Sequence, residues 1–449
     1  MAGNKKLNEK RHALTNPQMN IYQAGWKSDS RFRVAVCGRR FGKTFEAAEE
    51  MRRAVRLAVS NNIKPEDEIW YGAPTYKQAK KIFWPRLKNI IPRSWLKSPP
   101  RETDLSLEIN PYGHIIRVVG LENFDALRGT GLFFFLGDEW ANVKPEAWSE
   151  VIRPMLSTTQ GHALFIGTPR GRDHFHDLYL KGQDGIEKES GWWSCSYTTL
   201  DGGNVPEQEI EDAKRCLDIR QFRQEYEASF ETFCGRCIYA FSREHNLKDI
   251  FYDKSYAVHI GLDFNVNPMS ATVWQEKKDK NNNTISYQID EIILPTSNTD
   301  EMAREIIKRY GVLTQSFSGE NHISCDNITI YPDPSGQARR TSSCGKTDFS
   351  ILKSFGLNVN VMKKAPAVRD RLNITNAMFE NSIGERRAYI SPRCHLSIES
   401  YEKYVYRNGT SEPDKGGGFD HLVDAAGYYF FFRFSNTDSN ELKGNILDR

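Results

Sequence analysis

The sequence predicts an α/β chain of two domains, each a sheet with chemistry at its strand ends. Three stretches carry the prediction. Arg31–Thr44 reads RFRVAVCGRRFGKT, a buried strand (Phe32–Val36) running through a loop into a helix (Phe45–Val59). Leu132–Glu139 reads LFFFLGDE, an apolar strand that ends in two carboxylates. In the second half, strands ending in Asp263 and Asp333 precede an apolar helix that opens Asp420-His-Leu-Val-Asp424.

At 449 residues, two domains of ordinary size are expected. A content of 39% hydrophobic and 27% charged residues suits a soluble protein with sizeable cores. The net charge of +3 is too small to argue for nucleic acid, so such binding needs local patches. The first fifteen residues are polar and basic, which excludes a secretory signal there. No apolar run approaches a membrane span; Tyr428–Phe432 is far too short. Eight cysteines over this length fit a reducing compartment. Cys234-Gly-Arg-Cys237 has no second pair, so it reads as plain thiols and not as a zinc site.

In chain order, residues 1–15 are expected to be disordered, and Asn16–Trp26 precedes the first strand. Gln18 or Gln23 is a candidate reader of an adenine edge; a polar surface helix is the alternative. The loop Cys37, Gly38, Arg39, Arg40, Phe41, Gly42, Lys43, Thr44 departs from the standard phosphate-loop pattern, because Cys37 stands where the first glycine belongs. Backbone N–H groups at the helix start would cradle phosphates. Lys43 would reach the β- and γ-phosphates, and the Thr44 hydroxyl would hold Mg²⁺. Arg39 is placed to stabilise the γ-phosphate transition state in cis.

A second strand is expected over Glu68–Ala73, then a helix over Lys77–Ile90 interrupted by Pro85, then a hairpin within Ser106–Val119. Asp138 would hold the nucleotide's Mg²⁺, and Glu139 would activate the attacking water as general base. The strand Ala163–Gly167 ends in Thr168-Pro-Arg170, a candidate γ-phosphate sensor. Arg128, in Leu127-Arg-Gly129, is a candidate finger offered to a neighbouring subunit. Parallel-type strands tipped by lysine, a carboxylate pair and a threonine define a P-loop ATPase domain with a central, mainly parallel sheet, assigned here to the ASCE type and to residues 16–235.

Residues 181–205 are rich in Gly, Asp, Glu and Lys, Pro206–Phe230 reads as helical, and 236–255 as the linker. The second domain, 256–436, opens with a strand Ala257–Asp263 and a meander (Met269–Gln275, Thr284–Leu294). A helix Asp300–Tyr310, a strand Ile328–Asp333 and the buried acidic helix follow. That order is the ribonuclease H-like arrangement. Converging carboxylates repel and want divalent cations, so Asp263, Asp333 and Asp424 are the expected ligands of a two-metal phosphodiester site. Asp420, one helical turn before Asp424, is either a fourth ligand or a helix N-cap. Arg339, Arg340, Lys346, Lys363, Lys364, Arg369, Arg371, Arg386 and Arg387 lie between these segments, as a phosphate-tracking groove requires. Residues 437–449 are expected to be a flexible tail.

Taken together, Cys37–Thr44, Ala73-Pro-Thr-Tyr76, Leu127-Arg-Gly129, Leu136-Gly-Asp-Glu139, Gly167-Thr-Pro169, Gly261-Leu-Asp263, Asp333 and Asp420-His-Leu-Val-Asp424 resemble, in order and spacing, the large terminase subunit of tailed bacteriophages. That family often lacks the first loop glycine and carries arginine in the loop. The resemblance implies ATP-driven translocation of double-stranded DNA, with Arg39 as the cis arginine and Gly167-Thr-Pro169 coupling hydrolysis to motion. It implies a nuclease that cuts concatemers through Asp263, Asp333 and Asp424, using Mg²⁺ or Mn²⁺. It also implies a small terminase subunit, a portal on the prohead and a ring of copies as partners, in the host cytoplasm. A helicase–nuclease of DNA repair would need further helicase motifs and a second motor domain after Arg170, and neither is visible. An ATP-dependent DNA-binding scaffold with an inactive second domain is the other rival, and the three retained aspartates argue against it.

Overall fold

The computed structural model describes residues 14–231, 234–315, 321–337, 346–362, 364–407 and 410–435. Among these, the chain separates into two compact units. The front unit holds the residues up to Glu211 together with 222–231, and the second holds Asp212–Gln221 and the residues from 234 onward.

In the front unit, β1 (Phe32–Cys37) is buried at every residue, as a parallel strand covered on both faces requires. The other strands are β2 (Asp67–Ala73), β3 (Ser106–Ile109), β4 (His114–Gly120), β5 (Gly131–Gly137), β6 (His162–Gly167) and β7 (Trp192–Tyr197). They form one seven-stranded sheet in the order β3-β4-β2-β5-β6-β1-β7. Only the β3–β4 hairpin is antiparallel. β6 therefore stands between the phosphate-loop strand β1 and the carboxylate strand β5, as an ASCE-type sheet requires. The helix after the loop runs Lys43–Ser60, and its buried Glu50 bonds Arg33 of β1 at 2.7 Å. That pair ties the helix to the strand from inside the core.

Three stretches take a more detailed form than the sequence shows. The helix expected over Lys77–Ile90 is built as Tyr76–Gln78, a wider turn Ala79–Phe83, and Trp84–Ile90. Pro85 falls in the first turn of the last piece, where a missing N–H matters least. The stretch 181–205, marked in the sequence only by its Gly, Asp, Glu and Lys, contains β7, the edge strand beside β1. The Pro206–Phe230 pattern is two helices, Glu207–Cys216 and Ile219–Tyr226, and the Asp218 carboxylate starts the second by accepting from Arg220 N (3.0 Å) and Gln221 N (3.2 Å).

The second unit pairs β8 (Val258–Asp263), β9 (Met269–Lys278) and β10 (Thr284–Leu294) as an antiparallel meander. β11 (Val312–Gln315) and β12 (Asn321–Ser324) form a separate two-stranded sheet. β13 (Ile328–Pro332) lies parallel to β8, β14 (Asn358–Val359) parallel to β13, and β15 (Ala388–Ile390) parallel to β10. The six-stranded order is β14-β13-β8-β9-β10-β15, with the helix Asp420–Phe434 packed on β8 and buried from Leu422 to Phe430. This is the expected ribonuclease H-like layout.

The linker expected at 236–255 is also corrected. Cys237, Ile238 and Phe241 are buried in the core of the second unit. Asn246 is fully buried and donates to Phe379 O (3.0 Å) and Ala388 O (3.1 Å). No described helix is long and apolar enough to cross a membrane.

Candidate functional site

The front candidate site lies at the C-terminal edge of β1, β5 and β6. Cys37 is still strand, paired with Tyr197 of β7, so the position that lacks the expected glycine does not need one. Burial pushes its thiol up to about 12, so it is a packing group and not a nucleophile. Gly42 adopts φ 101° at the loop's end, a conformation that favours glycine. A Cβ there would also meet the Gln18 amide nitrogen at 2.3 Å.

Lys43 Nζ reaches Cys37 O (3.2 Å), Gly38 O (3.1 Å) and Thr168 Oγ1 (2.9 Å), bridging the loop to the tip of β6. Thr44 is the second residue of the helix. Asp138, directly after β5, is buried, and both its oxygens are held: Tyr71 donates to Oδ2 (2.5 Å) and Glu139 N to Oδ1 (2.8 Å). Burial first, then the Glu139 charge, push the Asp138 carboxyl up to about 6. Glu139 itself sits at φ 48°, a left-handed conformation that a non-glycine residue adopts only where its surroundings hold it.

Other expected residues take different places. Gln18 is not a free adenine reader. Its amide nitrogen donates to Phe41 O (3.2 Å) and Gly42 O (3.4 Å), and its oxygen accepts from Thr15 N (3.0 Å). It braces the loop from beneath, while Gln23 is exposed. The Arg39 guanidinium is ion-paired with Glu225. Arg40 is exposed with φ 60°. Arg128 is exposed and held by Asp125 (2.9 Å) and by Glu150, both through its backbone oxygen (3.0 Å) and its carboxylate (3.3 Å).

The second candidate site lies where β8 and β13 end. Asp333 N donates to Leu262 O (2.9 Å), so Asp263 and Asp333 emerge side by side from parallel strands. Gly261 lets the C-terminal helix approach: a Cβ there would stand 2.0 Å from Ala425 O. That contact brings Asp420 and Asp424 toward the same edge. Burial above all, then the charges of Asp424 and Asp333, raise the Asp263 carboxyl above its ordinary value, against the opposing bond from His421 (3.1 Å). Asp420 is the first helical residue and Phe419 the cap, so the N-cap reading of Asp420 is excluded.

Two cations already serve these carboxylates. Arg371, expected in an exposed groove, is instead buried and donates to Asp424 Oδ1 (2.8 Å). Lys415 Nζ stands 3.7 Å from Asp420 and 3.8 Å from Asp424. Among the described residues, no group of three or more His, Cys, Asp or Glu is drawn together into a ready metal cage. The donor chemistry nevertheless fits a hard divalent cation: the groups are carboxylates, and Asp420 Oδ1 is buried without a hydrogen-bond partner. Arg339, Arg340 and Lys363 lie outside the described residues.

Sequence reasoning missed Tyr71, Glu225 and the burial of Arg371. Tyr71 was accessible only through the β2–β5 register, which sets it opposite Leu136, two residues before Asp138.

Sheet order and site edge thus define the class: a P-loop ATPase fold joined to a ribonuclease H-like fold. Residues 34–244 match the family model for the N-terminal part of the terminase large subunit, T4-like virus type. The chain is 30% identical over 257 residues to the terminase large subunit of Escherichia phage T5, covering 55% of this chain and 56% of that one. Against the large subunit of Thermus phage G20c it is 32% identical over 182 residues, 36% of each. The matched stretches thus span about half or less of those relatives' length. The large terminase of a thermophilic bacteriophage superposes with a TM-score of 0.58 at 16% identity, over 94% of this chain and 99% of that one. The complex of that same terminase with ADP gives 0.56 at 16% identity, over 93% and 99%. These matches make the chain similar in sequence to phage terminase large subunits over about half its length, and similar to one of them in fold over nearly all of it.

Proposed function

We propose that this chain is the motor and nuclease of viral DNA packaging. ATP hydrolysis in the front unit drives double-stranded DNA into a prohead, and the second unit cuts the concatemeric genome. The observation that carries the reading is the convergence of Lys43, Thr168, Asp138 and Glu139 on one sheet edge. Complexes of the thermophilic phage's terminase with ADP and ATP-γ-S support it.

In the front unit, Thr44 and Asp138 would hold Mg²⁺, which when bound neutralises phosphate charge. Lys43 leaves its loop carbonyls for the β- and γ-phosphates, Glu139 takes the proton of the attacking water, and Arg39 meets charge on the γ-phosphate. Thr168, bonded to Lys43, links phosphate occupancy to the tip of β6. In the second unit, Asp263, Asp333, Asp424 and Asp420 would hold Mg²⁺ or Mn²⁺, which when bound stabilise both oxygens of an in-line displacement. The partners that follow are a small terminase subunit, a portal and a ring of copies.

The pairing of Arg371 and Lys415 with the aspartates favours one second reading, a second unit that binds DNA without cutting it. Plasmid cleavage with Mn²⁺ or Mg²⁺ separates the two: cutting lost on Asp263→Asn supports the nuclease, and no cutting by the intact chain supports the binder. For the motor, Glu139→Gln should keep ATP binding and lose hydrolysis, and Lys43→Ala should lose binding. Protection of DNA from added nuclease that depends on both ATP and proheads tests packaging itself.

A further inference from the structure

The two cations beside Asp420 and Asp424 differ in kind. Arg371 is the fixed one. Its side chain is 6% exposed, it donates to Asp424 Oδ1 (2.8 Å) and Pro366 O (2.9 Å), and its guanidinium lies 4.5 Å from the centre of the Tyr428 ring. Lys415 is the movable one. Its side chain is 53% exposed, and Nζ stands 3.7 Å from Asp420 Oδ2 and 3.8 Å from Asp424 Oδ2. These carboxylates lie one turn apart on one helix face, where like charges repel, and an ammonium shared between them offsets the repulsion. An oxygen-seeking divalent cation would be drawn to the same pair of oxygens. Asp420 Oδ1, buried without a hydrogen-bond partner, is acceptor capacity that the ammonium leaves unused. The root of the lysine's segment is fastened, since Asp414 N donates to Val405 O (2.8 Å), but three glycines, Gly416, Gly417 and Gly418, separate Lys415 from Phe419 and the helix. A half-exposed ion pair made by a long, flexible side chain is weak enough to be exchanged.

We propose that Lys415 is a tethered cation that a divalent metal ion must displace, and that this exchange sets the metal concentration at which the second unit becomes competent. Without metal, the ammonium holds Asp420 and Asp424 together. A divalent ion meets the same two carboxylates with twice the charge, so the lysine leaves. Arg371 stays and keeps Asp424 oriented through Oδ1, which leaves Oδ2 for the metal. Lys415 is thus a positioning residue that acts through the carboxylates. The inference rests on the proposed metal reading of Asp263, Asp333, Asp420 and Asp424.

The test has two arms, both on the full chain and neither read from activity. In the first, a low dose of an N-hydroxysuccinimide ester labels amines at fixed pH, and peptide mass spectrometry follows Lys415. Saturating Mn²⁺ should raise its labelling rate about two- to fivefold, because an amine released from two carboxylates is open to the reagent. Lys308, 77% exposed, should not change, and in Asp263→Asn the rise at Lys415 should vanish. In the second, Mn²⁺ is titrated into metal-free chain by calorimetry. Lys415→Met should tighten the binding that depends on Asp263 about two- to fivefold, and Lys415→Arg, which keeps the charge, should stay within about twofold of wild type. Labelling of Lys415 that ignores saturating Mn²⁺, or Asp263-dependent binding that Lys415→Met leaves unchanged or weakens, would overturn the proposal. If wild type and Asp263→Asn bind Mn²⁺ alike, the metal reading of the second unit fails and the exchange falls with it.

Discussion

Replacing Gly261 by alanine should damage the second unit alone, and the structure sets the scale. The added Cβ would stand 2.0 Å from Ala425 O, 2.8 Å from Ala425 C and 3.1 Å from Thr272 Oγ1. Ordinary contact needs about 3.4 Å or more, so the helix carbonyl must retreat by roughly 1.4 Å. β8 cannot back away, because β13 and β9 hydrogen-bond it on either side. Overpacking of this kind costs about 1–3 kcal/mol, and the upper end applies where two backbones meet. For a unit of this size, about 3 kcal/mol lowers the melting temperature by roughly 6–12 °C. The same retreat would draw Asp420 and Asp424 away from Asp263, so the plasmid cutting proposed for the second unit should fall further than stability does. Differential scanning calorimetry read beside ATP hydrolysis is the assay, with the front unit as internal reference. A variant that melts like wild type and cuts at the wild-type rate would mean that the helix does not rest on Gly261.

Tyr71→Phe removes the hydroxyl that fixes Asp138, and should raise the Mg²⁺ concentration needed for half-maximal ATPγS binding several-fold while costing about 1–2 kcal/mol of stability. An unchanged Mg²⁺ titration would remove Tyr71 from the site. Burial first, then the charges of Arg33 and Arg31, hold His162 down at about 4, so between its ordinary value of 6.5 and that point the unfolded chain binds a proton the folded chain refuses. Front-unit stability should therefore drop as pH falls through this window, by at most about 3 kcal/mol in total, and the loss is complete below pH 4. His162→Gln should flatten that part of the denaturant-midpoint profile. Asn246→Ala strands Phe379 O and Ala388 O and should cost the second unit about 2–3 kcal/mol by urea unfolding, with no change in the front unit.

The places of the candidate residues were legible because they lie in short, ordered motifs. Gly42-Lys43-Thr44 after a buried strand, Asp138-Glu139 at a strand tip, and Asp263 and Asp333 at two others each announce themselves locally. What escaped was long-range or aperiodic. β7 lies in a stretch rich in Gly, Asp, Glu and Lys, and as an edge strand it buries only alternate residues such as Trp192 and Ser194, so composition outweighed pattern. The segment after 235 contributes Cys237, Ile238 and Phe241 to a core without helical or strand period, and so read as a linker. Arg371 looked like one more surface cation in a basic stretch. Only the fold, by facing its helix toward Asp424, turns it into a buried counter-ion.

The chain changes allegiance twice before it settles, since Asp212–Gln221 belongs to the second unit although front-unit residues flank it. There Asp218 bonds the Tyr239 hydroxyl, Asn381 donates to Arg215 O (2.8 Å) and Ser382 N to Leu217 O (2.9 Å). Severing the gene at 232 would therefore not give two self-sufficient halves. The first fragment would carry a decapeptide stripped of its companions, with the Asp218 carboxylate laid bare, and the second would lose the bonds that Tyr239, Asn381 and Ser382 make to it. Anyone dividing this protein should supply those ten residues to the second fragment in trans and bridge their place in the first with a short polar tether.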